Sequence, residues 1–219
     1  MTTSFFHFLF WKYNNRVLLA CIHREGVERR SILITTAEGR LTCFVSKVER
    51  LKEGIYKQLT DEAGIAPFEG VHALVADAHA RSIPVGIGSS GTPEKIAHNL
   101  RSAGLCDVFP VEHFIVSASY VARGKPHPDV YIEAARRLRE AELRSVSGAG
   151  ETVESIEQPW IVIEDAILGL QAARAAGALA VAVPNTLTAT ELAPHADAVV
   201  ASLRCVDLGR PIEEWERLA

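Results

Sequence analysis

Trp160-Ile161-Val162-Ile163-Glu164-Asp165-Ala166-Ile167-Leu168-Gly169-Leu170-Gln171-Ala172-Ala173 changes character half-way along. Residues 160–163 form a continuous apolar run, the pattern of a strand buried on both faces. From Ile167 to Ala176 the pattern is that of a helix, closed by Gly177. A buried strand that feeds a helix is half of a βαβ unit, and such units build parallel sheets covered by helices. Between strand and helix stand two adjacent carboxylates, Glu164 and Asp165.

Working outward, the alternation continues on both sides. Upstream, Ile83–Ile87 is a β-branched run closed by glycine, hence a strand. Pro93 to Ala103 reads as a helix, with Thr92 as cap, Pro93 in the first turn and Gly104 beyond the end. Phe114–Ser117 is a short strand, and Pro128 to about Leu143 is a helix. Ser145–Pro159 is polar and reads as a surface insertion. Downstream, Leu179–Val183 and Ala198–Val200 are short strands, and Glu213–Glu216 with Trp215 reads as an anchored terminal helix. Further upstream, Val71, Leu74, Val75 and Ala78 mark a helix. Val48, Leu51, Ile55 and Leu59 mark another that ends near Gly64. In the first 45 residues only Val17–Ile22 and Ile32–Ile34 have a strand pattern. The expected fold is α/β, a parallel sheet with helices on both faces.

Composition bounds the function. The chain has 219 residues, 48% hydrophobic and 23% charged, with a formal net charge of −4. That is an ordinary globular composition of one or two domains. It excludes a broadly basic nucleic-acid binder but leaves room for a local basic site or a bound cation. Cysteines 21, 43, 106 and 205 have no zinc or redox spacing, so idle thiols in a reducing compartment are expected. No run approaches the ~18 apolar residues of a membrane span. The apolar stretch Phe5–Trp11 lacks the flanks of a signal peptide. A soluble cytoplasmic protein with no membrane partner is the expectation.

Ligands of parallel sheets sit beyond the carboxyl ends of the strands. After the strand ending at Ile87 come Gly88-Ser89-Ser90-Gly91 and a helix. Backbone N–H groups, the helix dipole and the two hydroxyls can meet a phosphate there; a capped tight turn would use the same residues. Gly86, Gly88 and Gly91 also spell a dinucleotide fingerprint, but the acidic residue it needs at the end of the next strand is missing. Lys125, in Gly124-Lys125-Pro126-His127-Pro128, is held in a stiff segment and suits a phosphate or a carboxylate pair. A solvated surface lysine would read the same way. Glu164 and Asp165 can hold a hard cation such as Mg²⁺, or Asp165 can simply cap its helix. Taken together, phosphate-binding hydroxyls, one lysine and a carboxylate pair at the strand ends of one sheet form the electrostatic clamp of phosphoryl transfer.

Residues from about Val48 to Val200 resemble the haloacid dehalogenase superfamily, in its β-phosphoglucomutase-like and phosphoglycolate-phosphatase-like branch. The resemblance lies in Pro67–Val71, Val85–Ser90, Gly124–Tyr131 and Val162–Ala173. It implies a Rossmann-like core with a helical cap inserted after the first strand, and a Mg²⁺-dependent phosphatase or phosphomutase of a small phosphorylated metabolite. Carried over by position, Ser89, with Ser90 beside it, binds phosphoryl oxygens. Lys125 stabilises the charge shared by nucleophile and phosphate, and Asp165 with Glu164 holds Mg²⁺.

One motif departs. The family's first motif is Asp-x-Asp-Gly-Thr, whose first aspartate is the nucleophile and whose second is the acid and base. The aspartates here are 61, 77, 107, 129, 165, 197 and 207, and no two are two apart. In frame, Thr36-Ala37-Glu38-Gly39 is the nearest match, with Thr36 at the nucleophile position and Glu38 at the acid/base position. The chain therefore divides into a divergent N-terminus (1–45), a cap remnant (46–66) and a core (67–219). The first core strand is central in this fold and its loss would strand backbone groups in the interior. An N-terminal segment, Arg16–Ile22 or Ser31–Thr35, is expected to fill the slot. Three functions stay open: an impaired phosphatase, a non-catalytic relative that binds a phosphate compound or a protein, and a mis-started form of an active enzyme.

Overall fold

A computed structural model describes residues 10–13, 16–20, 40–109, 114–147 and 160–215. In chain order the elements are β1 (Phe10–Tyr13), β2 (Arg16–Ala20), α1 (Arg40–Ala63), α2 (Val71–Ala80), β3 (Ile87–Ser89) and α3 (Pro93–Ser102). Then follow β4 (Ile115–Ser117), α4 (Asp129–Ser147), β5 (Trp160–Glu164), α5 (Ile167–Ala175), β6 (Leu179–Ala182), α6 (Ala189–Leu192) and β7 (Ala198–Val199).

The strands form one sheet in the order β4-β3-β2-β5-β6-β7, with β1 paired antiparallel to β2. All the other pairings are parallel. The interior slot is filled by β2. Its Val17–Ala20 pairs with Trp160–Ile163 of β5, while Ala20 also faces Ile87 of β3. Of the two segments expected to fill that slot, Arg16–Ala20 does so; Ser31–Thr35 lies outside the described residues, as do Thr36 and Glu38.

The core is the sheet and the apolar sides of its helices. All five residues of β5 are buried. Helix α4 lies against β2, β3 and β4, and α5 lies against β5 and β6. On α2 the buried residues are Val71, Leu74, Val75 and Ala78, the apolar set of its sequence. The helix starts at Gly70, with φ 92°, where an added Cβ would stand 2.9 Å from the backbone N of Arg204. Only glycine accepts that conformation in so little space. On α3, Thr92 accepts a hydrogen bond from the backbone N–H of Lys95, and Pro93 opens the first turn.

Four expectations shift. The strand expected over Ile83–Ile87 begins to pair only at Ile87 and runs to Ser89. Residues 83–86 are apolar because they are packed, and Pro84 has no N–H for a ladder. The helix expected to end near Leu143 continues to Ser147, into the segment read as an insertion. The C-terminal helix is one 3₁₀ turn, Ile212–Glu214, with Trp215 buried behind it. The Leu51, Ile55 and Leu59 side of α1 faces outward, and the helix packs through Tyr56 and Thr60 instead.

Candidate functional site

The site is assembled at the carboxyl ends of β3, β4 and β5. Ile87 and Ile163 both face Ala20, so Ser89 and Asp165 stand level, two residues further along their strands. One strand lies between them. With strands about 4.8 Å apart, that sets the two backbones roughly 10 Å from each other.

Lys125 reaches the end of β5 from the loop before α4, across a cis peptide bond to Pro126. Its ammonium meets Glu164 Oε1 at 2.7 Å, with the two side chains 2% and 0% exposed. It is therefore not a surface lysine. The Tyr131 hydroxyl, on the first turns of α4, donates to the same oxygen at 2.5 Å. The Lys125 ammonium also lies 4.6 Å from the Tyr131 ring centroid, a cation–π contact. The second carboxylate oxygen accepts from the backbone N–H of Asp165 at 3.1 Å. Glu164 thus receives an ammonium, a phenol and an amide. Taking any of them away from so buried a charge is costly, about 3–5 kcal/mol for the loss of the ion partner.

The carboxylate has room because residue 169 is glycine. A Cβ there would stand 1.8 Å from Glu164 Oε1 and 2.0 Å from Cδ. The Glu164 carboxylate lies in the notch this glycine leaves on α5.

Asp165 is 3% exposed, and its Oδ2 lies 3.4 Å from the Asn185 side-chain amide. It does not act as a side-chain cap: the residue preceding α5 is Ala166, and no side chain bonds the helix start. The oxygen donors of Asp165 and Glu164 suit a hard cation, which can be bound through one or two carboxylates with waters and substrate phosphate completing the shell. Among the described residues there is no cluster of three or more metal-ligating side chains.

The hydroxyls divide. Ser89 is buried, and its Oγ accepts from the backbone N–H of Gly91 at 3.0 Å. Ser90 is exposed. Ser117, at the end of β4, is fully buried and donates to the Gly91 carbonyl at 2.7 Å. Both backbone groups of Gly91 are therefore held by serines from neighbouring strands, which fixes the loop ahead of α3.

Sequence reasoning named Ser89, Lys125, Glu164 and Asp165 but passed over Tyr131, Ser117 and Asn185. Ser117 had a signal, since it ends a strand as Ser89 does. Tyr131 closes the Gly124–Tyr131 stretch of the resemblance but was given no role, and Asn185 had no signal, because their roles rest on which elements become neighbours.

The family description "Haloacid dehalogenase-like hydrolase" matches residues 20–183. This chain belongs to that family. Hexitol phosphatase A of Escherichia coli (strain K12) is 31% identical over 85% of this chain and 75% of its own length. The bifunctional riboflavin kinase/FMN phosphatase of Arabidopsis thaliana is 26% identical over 93% of this chain, which spans only 49% of that protein. The crystal structure of β-phosphoglucomutase from Clostridium difficile superposes with a TM-score of 0.52 at 26% identity, covering 71% of this chain and 60% of that one. These relatives place the chain in the phosphoglucomutase-like branch of that family, with the α/β fold expected. The dinucleotide reading of Gly86, Gly88 and Gly91 has no part in that assignment. No helix among the described residues is long and apolar enough to cross a membrane.

Proposed function

We propose that the chain binds the phosphoryl group of a small phosphorylated metabolite at the ends of β3 and β5, and that its turnover is impaired. The observation that carries this reading is the buried ammonium of Lys125 on the Glu164 carboxylate, next in the chain to Asp165 and across one strand from a serine-lined loop. Lys125 supplies the positive charge for a phosphoryl oxygen. Ser89, with Ser90 beside it, supplies hydroxyl and backbone donors at the start of α3.

Asp165 and the second oxygen of Glu164 would hold Mg²⁺. That ion would neutralise phosphate charge and orient the ester. Tyr131 and Gly169 keep the Glu164 carboxylate at the lysine rather than in solvent. What the sequence lacks is the Asp-x-Asp pair, and with it the carboxylate nucleophile and the acid/base. A threonine at position 36 has no evident base beside it in the sequence. Charge stabilisation and binding thus outlast the covalent step.

The test is twofold. Isothermal titration with inorganic phosphate in the presence of Mg²⁺ should give saturable binding that Asp165→Asn weakens at least tenfold. Hydrolysis of p-nitrophenyl phosphate and acetyl phosphate should stay at the uncatalysed rate. Absence of phosphate binding by the folded chain would overturn the site. Magnesium-dependent turnover that is lost in Lys125→Ala would overturn the impairment and make Thr36 and Glu38 the next residues to change.

A further inference from the structure

Ser89 and Ser117 stand level on neighbouring strands, paired across β3 and β4. They are 6% and 0% exposed. A hydroxyl so buried needs an acceptor for its proton and a donor for its oxygen, because a polar group left unpaired inside a protein is costly. Ser117 has both. It donates to the Gly91 carbonyl at 2.7 Å and accepts from the Ser119 backbone N–H at 3.1 Å. Ser89 has only one. Its Oγ accepts from the Gly91 N–H at 3.0 Å, and its own proton has no acceptor among the described residues. The incoming N–H occupies one position around the oxygen, so the proton is left to point elsewhere.

Gly91 links the two serines. Its N–H and its C=O belong to successive rigid peptide planes. Ser89 meets the first plane and Ser117 holds the second, so the backbone angles of Gly91 are set between them. Glycine has the widest backbone freedom of any residue and gains most from such restraint. The same Ser117 oxygen caps the 3₁₀ turn Ala118–Tyr120, which opens the connection that carries Lys125.

We propose that Ser117 is a positioning residue for phosphoryl binding. By holding the Gly91 carbonyl it fixes the Gly91 N–H against Ser89, and so aims the Ser89 proton at the ligand. The proposal rests on the reading that the loop after β3 receives a phosphoryl group. Ser117 itself touches no ligand, since it is fully buried and its proton is given to Gly91. A phosphoryl oxygen can only accept, which matches a hydroxyl whose oxygen is already engaged and whose proton is free.

The experiment is isothermal titration of inorganic phosphate in the presence of Mg²⁺, with amide hydrogen exchange of the ligand-free proteins read beside it. Ser117→Ala should weaken phosphate about tenfold, the scale of one hydrogen bond to a charged group. Ser117→Thr keeps the hydroxyl and should restore most of that affinity. Ser117→Cys, close to serine in size but a weak donor, should behave as alanine does, which separates the hydrogen bond from the packing. In a Ser89→Ala background, Ser117→Ala should change affinity less than about twofold, because a residue that acts through Ser89 then has nothing to act on. The Gly91 amide should exchange faster in Ser117→Ala, by more than the amides of β5. Binding by the parent that Ser117→Ala leaves intact would overturn the proposal and leave the phosphate site standing. An equal loss with Ser89 present and absent would overturn the route through Ser89. Unchanged Gly91 exchange in Ser117→Ala would overturn the hold on the loop, whatever phosphate does. A folded parent that binds no phosphate would overturn the site reading, and the role of Ser117 toward a ligand with it.

Discussion

Replacing Gly169 by alanine adds one methyl group to the first turn of α5. In a helix that change ordinarily stabilises by up to about 1 kcal/mol. Here the new Cβ would stand 1.8 Å from Glu164 Oε1 and 2.7 Å from Oε2. The end of a glutamate can usually swing away, but this one is completely buried and held by Lys125, Tyr131 and the Asp165 amide. Overpacking alone costs about 1–3 kcal/mol. Losing the ion pair outright would cost about 3–5 kcal/mol. Partial loss of the pair, added to the overpacking and set against the helix gain, leaves a destabilisation of about 3 kcal/mol. With a urea m-value of about 1–3 kcal/mol/M, the midpoint should fall by about 1–3 M.

The assay is equilibrium urea unfolding, with Gly54→Ala as control. Gly54 lies inside α1, with nothing within 4 Å of its Cβ position, so alanine there should stabilise by about 0.5–1 kcal/mol. A Gly169→Ala protein as stable as its parent would refute the notch. The same holds for a cost that persists unchanged when Glu164→Ala is combined with it, because a clash with the carboxylate must disappear with the carboxylate.

Two further outcomes follow from single contacts. Tyr131→Phe keeps the ring beside Lys125 and removes only the hydroxyl that donates to Glu164. A hydrogen bond to a charged group is worth about 1.5–3 kcal/mol, so a urea unfolding cost below about 0.5 kcal/mol would contradict the buried phenol–carboxylate contact. On α4, Arg136 first and Arg137 second hold the Glu133 carboxyl down at about 2 from its usual 4.5. The depressed value means that this stabilisation is complete above pH about 4.5 and is lost as the pH falls toward 2. Glu133→Gln should lower stability above that window and flatten the profile across it; an unaltered acid slope would assign the loss to other carboxylates.

Much of the molecule was legible before folding. The helices 71–81, 93–103 and 167–176 were legible from apolar spacing, reinforced in the second by the Thr92 cap, Pro93 and Gly104 and in the third by Gly177. The strand ends at Ser89 and Glu164-Asp165 could be located because a parallel sheet gathers chemistry there whatever its substrate. The interior slot had to be filled, since unpaired backbone in a sheet centre is too costly, and Arg16–Ala20 was one of two segments with the pattern to do it.

The remainder needed the third dimension. Apolar runs report burial and not pairing, so Ile83–Gly86 looked like strand although the ladder starts at Ile87. An amphipathic period marks an apolar stripe but does not say what meets it: on α1 the stripe faces outward, and Tyr56 with Thr60 make the contact. Lys125 could be solvated or buried from its sequence alone. Only the approach of its loop to the end of β5, 39 residues away, gave it Glu164 as a partner. Tyr131 and Gly169 gained their meaning in the same way, one donating to that carboxylate and the other leaving space for it. Sequence thus determined which residue types stand at the strand ends, because that is a property of local order along the chain. Tertiary structure decided which of them touch, because desolvation and distance, and so the strength of every charge in the site, exist only after the chain has packed.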